Sequence, residues 1–87
     1  MINLEKLREV LISVDKDPIE EIHPISDKRL KNEDFEKAVG LLSQKGYIAS
    51  VQMHSSLEHM LMVTLDGYDY MEKLEKKLLK KEEGIND

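Results

Sequence analysis

Eighty-seven residues make one domain at most, and a chain this short buries only about 60–65% of the surface its unfolded form exposes, so the core is small. Hydrophobic residues are 40% and charged residues 36%, and the net charge of 13 − 18 = −5 does not suit default phosphate binding. The absence of Cys excludes disulfides, zinc ribbons, thiol catalysis and iron–sulfur clusters, and the absence of Trp, with one Phe and three Tyr, leaves few stacking platforms.

Leu4, Leu7, Leu11 and Val14 recur at helical spacing, and Asn3 can cap them, which predicts a helix over 4–14. Pro18 and Pro24 disfavour helix in the residues before them, Asp17 and His23. Ile19, Ile22 and Ile25 still anchor the segment, which reads as an ordered connection with a short extended piece near Ile22. Asp27-Lys28-Arg29-Leu30 makes a short second helix. Asn32 caps a third, with Glu33 and Asp34 in the turn where the helix dipole favours negative charge. Phe35, Ala38, Val39 and Leu42 form its apolar face, and Gly46 ends it in a left-handed conformation.

The period then changes to two. Tyr47–Met53 and Met60–Val63 read as strands of a hairpin, with His54-Ser55-Ser56 and Glu58-His59 turn-like. Thr64 caps a last helix whose Leu65, Tyr68, Met71, Leu74 and Leu78 share a face. The expected fold is α+β, a winged helix-turn-helix domain over 1–79. It has three N-terminal helices, a two-stranded wing hairpin and a C-terminal fourth helix, followed by a frayed polar tail over 80–87.

Three stretches carry a resemblance. They are Asp17-Pro18-Ile19-Glu20-Glu21-Ile22-His23-Pro24, then Leu41-Leu42-Ser43-Gln44-Lys45-Gly46-Tyr47-Ile48, then Val63-Thr64-Leu65-Asp66-Gly67-Tyr68-Asp69-Tyr70-Met71. Together they resemble the YjcQ-like family, small winged-helix proteins of Firmicutes and their phages, over roughly 4–79. The resemblance implies the fold and carries no catalytic motif.

No chemistry-bearing constellation stands out. His54, Glu58 and His59 on a hairpin tip lack the convergence and supporting shell that a metal needs. Ser55 and Ser56 near these histidines do not make a triad. Glu20-Glu21 and Glu82-Glu83 read as solvated charge, and Gly40, Gly46, Gly67 and Gly84 are isolated, so there is no phosphate loop. The methionines at 53, 60, 62 and 71 read as core. The chain is expected not to be an enzyme and to need no cofactor or small-molecule substrate. The longest apolar run, Met60–Val63, is far too short for a membrane span, and Met1–Glu5 lacks signal-peptide character, which implies a cytosolic protein.

Two functional readings follow. A DNA-binding transcriptional regulator of phage or mobile-element type is implied by the fold. Its contacts would be Lys28, Arg29 and Lys31 on phosphate, with Lys37 and Gln44 on base edges. Against it, the third helix leads with acids, and residues 46–70 hold no Lys or Arg. The alternative is a winged-helix protein-interaction module that does not bind DNA. The lysines at 73, 76, 77, 80 and 81 read as a solvated helix face or a phosphate patch. Met71, Leu74 and Leu78 fall on a heptad seam, which predicts a weak homodimer through the last helix.

Overall fold

Asn3 opens the first helix, α1 (Leu4–Lys16), by accepting a 2.8 Å hydrogen bond from the Lys6 amide. Pro18 cannot continue it, and the Asp17 amide closes the last turn on the Ser13 carbonyl at 3.0 Å. The structure, a computed structural model, describes residues 2–21, 27–52 and 59–82. The chain leaves α1 into a two-residue strand, β1 (Ile19–Glu20). A single 3-10 turn follows at Lys28–Lys31, then α2 (Glu33–Gln44), β2 (Ile48–Gln52), β3 (His59–Val63) and α3 (Leu65–Glu82).

The caps expected at Asn32 and Gly46 are present. Asn32 accepts from the Phe35 amide at 3.0 Å. Gly46 has φ +83°, its amide bonds Ser43 O at 3.1 Å, and the Tyr47 amide reaches Leu42 O at 2.9 Å. That pair of bonds is the Schellman closure, which satisfies two end carbonyls and turns the chain into β2.

The architecture is α+β, with three α-helices and a three-stranded antiparallel sheet in the order β1-β3-β2, compatible with a small winged-helix-like fold. Two expectations need correction. The sheet has three strands and not two, because Ile19 pairs with Leu61 and Glu20 with Met60 along the free edge of β3. The connection thereby satisfies backbone groups that an uncovered edge would leave open. The short second helix is one 3-10 turn, capped by Asp27 and ended by Asn32, which caps α2 in the next step. The expected extended piece at Ile22, the anchor Ile25, the hairpin tip at 53–58 and the tail beyond 82 lie outside the described residues.

The core lies between α1, α2, the inner sheet face and α3. Val10, Leu11, Val14, Ile19, Leu42, Ile48 and Leu74 are essentially inaccessible, and among the described residues no polar side chain is buried with them. In the β2–β3 register Ile48 faces Val63 and Ser50 faces Leu61, which puts Ile48, Leu61 and Val63 on the inner face. Met62 and Met60 fall on the outer face, half-buried.

α3 starts hard against the end of α2. Thr64 donates its hydroxyl to Gly46 O at 2.7 Å and accepts from the Gly67 amide at 3.0 Å, while its own amide bonds Tyr47 O at 3.0 Å. Tyr47 and Tyr70 stack with ring centroids 4.2 Å apart. α3 then runs back antiparallel to α1. Tyr68 donates to Asp15 at one end, and Arg8 approaches Glu75 at 3.7 Å further along.

Candidate nucleic-acid interface

The 3-10 turn and the outward face of α2 are where a winged helix would meet a duplex. Lys28 and Lys31 are exposed on the turn, and Lys37 and Gln44 are exposed on α2. Lys37 and Gln44 are seven residues apart, so they share one helix face, with Glu33 and Gly40 in the same row. Glu33, Asp34 and Glu36 are exposed in the first turn of α2, the end that would lead into a groove. Lys28 borders a hollow that also holds Asp17, Glu20 and Asp27. The field at the turn is therefore mixed.

Arg29 is not part of an open surface. Its Nε donates to Asp27 Oδ1 at 2.9 Å, and one Nη donates to Asp27 Oδ2 at 2.7 Å. That same Nη reaches the Asp17 carbonyl at 2.7 Å. The other Nη bonds the Ser13 carbonyl at 3.0 Å and the Ser13 hydroxyl at 2.9 Å. A guanidinium has five N–H donors, and these bonds use every one. The group also sits 5.7 Å from the centre of the Phe35 ring. Arg29 ties the 3-10 turn to the C-terminal end of α1, where the helix dipole favours a cation. The hydrogen bond from Arg29 holds the Asp27 carboxyl below the usual aspartate range, and the same bond raises Arg29. Of the five residues expected to contact nucleic acid, this one has no donor left for a phosphate.

The seam residues of the expected dimer separate in the same way. Leu74 is 1% exposed and belongs to the core, and Met71 packs against that core. Leu78 is half-buried and turned back beside α1. Between α1 and α3 runs a groove of about 490 Å³ lined by Ile12, Leu78 and Leu79 together with Glu5, Arg8, Glu9 and Glu75. Leu79 is 54% exposed there.

Ser13, Asp17, Asp27 and Ile12 escape a reading of the sequence. Asp27 two residues before Arg29 is a local signal, since a cap so placed can also fork the guanidinium; the other three depend on how distant segments meet. His54, Ser55, Ser56 and Glu58 lie outside the described residues, and His59 is exposed at the start of β3. Among the described residues no three His, Asp or Glu side chains converge as a metal site, and no helix is long and apolar enough to cross a membrane. No protein-family model, curated protein or solved structure matches the chain.

Proposed function

We propose that this chain is a winged-helix-type module that recognises another protein and not duplex DNA. The observation that carries the reading is the engagement of Arg29, the only arginine of the expected phosphate-binding group, in five bonds within its own chain. A phosphate contact by Arg29 would require breaking its fork with Asp27, a charge-assisted pair. The three acids in the first turn of α2 add repulsion where a duplex would approach.

A second reading has its own support. Lys28 and Lys31 are exposed on the turn before α2 and Lys37 is exposed on α2 itself, in keeping with the resemblance to small winged-helix proteins. Three lysines supply at most three phosphate contacts. Anisotropy titrations with labelled duplex DNA across salt concentrations separate the two readings. The protein-interaction reading expects no saturable binding at physiological salt. Tight binding with a slope of about −2.7, lost in Lys28→Ala/Lys31→Ala/Lys37→Ala, would select the DNA reading, at about 0.9 per phosphate contact.

A further inference from the structure

The groove between α1 and α3 is lined by apolar and acidic side chains. Ile12 and Leu78 line it half-buried, and Leu79 stands 54% exposed at its edge. Glu5, Glu9 and Glu75 surround these side chains, against one cation, Arg8, which lies 3.7 Å from Glu75. Lys6, half-buried, approaches the exposed Glu9 at 3.7 Å, a partly solvated pair readily exchanged for another cation. Further along the seam Asp15 accepts from the exposed Tyr68 hydroxyl.

A second copy of this chain fits the groove poorly. A two-fold axis through it would set Glu5, Glu9 and Glu75 against their own counterparts. The lysines of α3 at 73, 77 and 80 follow i, i+4, i+7 spacing on the other flank of that helix. Bringing that flank to the groove of another molecule would make a head-to-tail contact, which builds rings or open filaments and not a two-fold dimer.

We propose that the α1/α3 groove docks an amphipathic, basic helix of a partner protein. The partner's apolar stripe lies on Ile12, Leu78 and Leu79, and its lysines or arginines meet Glu5, Glu9 and Glu75. This is the helix-in-groove mode, in which apolar anchors supply affinity and the charged side chains set orientation and select against acidic partners. The proposal rests on the protein-interaction reading and gives it a surface and a partner chemistry.

The test uses the full chain and a fluorescein-labelled helical peptide of Leu and Lys only, with Leu at i, i+3, i+4 and i+7. A scrambled peptide of the same composition and a Leu/Glu peptide serve as controls. Binding by the patterned Leu/Lys peptide alone is expected. Glu5→Lys/Glu9→Lys should weaken it by about tenfold or more, and Leu79→Ser by about fivefold, since both sites are exposed and leave the core intact. Glu33→Lys/Glu36→Lys makes the same change in net charge on α2 and should stay within about twofold. Equal loss in both charge-reversed variants, or equal binding of the scrambled peptide, would overturn the proposal, because attraction would then follow net charge alone. Absence of peptide binding would overturn it too. So would sedimentation showing self-association that Leu79→Ser abolishes, since the occupant would then be a second copy. A chain that binds neither peptide nor DNA loses this groove but keeps the protein-interaction reading, whereas salt-dependent DNA binding refutes that reading separately.

Discussion

Replacing Arg29 by Ala should be among the most damaging single changes at the surface of this protein. Five bonds are lost, two of them to the Asp27 carboxylate, whose side chain is only 17% exposed. A hydrogen bond to a charged group contributes about 1.5–3 kcal/mol, but such terms do not add within one network. Arg29 is itself 22% exposed, so water replaces part of the loss. A cost of about 3 kcal/mol is expected, against a total stability of about 4–13 kcal/mol for a chain of this length. At about 4–8 °C per kcal/mol the melting temperature falls by roughly 12–24 °C. Arg29→Lys keeps the charge but cannot reproduce the planar fork, and should lose about half as much. Urea denaturation followed by circular dichroism measures all three chains. A change below about 0.5 kcal/mol for Arg29→Ala would show the guanidinium to be ordinary surface, and the structural reading of it would fail.

The same pair sets an acid limit. Asp27 has its folded pKa lowered by the Arg29 hydrogen bond, so its stabilisation is complete above the unfolded value of about 3.9 and disappears as pH falls through the folded value. The stability gap between wild type and Asp27→Asn should be constant near neutrality and close below about pH 4; a gap unchanged at pH 2 contradicts the linkage. Gly67 has no room for a side chain, since a Cβ there would lie 2.2 Å from Tyr47 O and 2.7 Å from a Val63 methyl. Gly67→Ala must push α3 off the backbone of Tyr47, and a loss of about 2–3 kcal/mol in urea denaturation is expected. Gly40 is the opposite case, a mid-helix glycine where an added methyl would meet nothing within 4 Å, so Gly40→Ala should raise the urea midpoint by the equivalent of about 0.5–1 kcal/mol.

Local features are legible in the sequence, and tertiary ones are not. The Asn3 and Asn32 caps, the left-handed Gly46 and the apolar face of α2 follow from residue type and spacing, and they appear as expected. β1 is legible only as an extended connection, expected near Ile22, because a two-residue strand has no period; the pairing of Ile19 with Leu61, 42 residues away, makes it a strand. Arg29 reads in sequence as one member of a basic trio. Its role is set by acceptors from Ser13, Asp17 and Asp27, on separate stretches of chain. Leu74 and Leu78 look like a seam in one dimension, but the antiparallel return of α3 along α1 takes the first into the core and the second beside Ile12.

The central claim is that recognition does not use the 3-10 turn and α2 on a duplex. Amide chemical-shift mapping of the isotope-labelled chain, titrated with duplex DNA at physiological salt, tests it most directly. The prediction is small shifts, linear in DNA concentration, with no cluster over residues 28–45. Saturable shifts centred on Lys28, Lys31, Lys37 and Gln44 would contradict it.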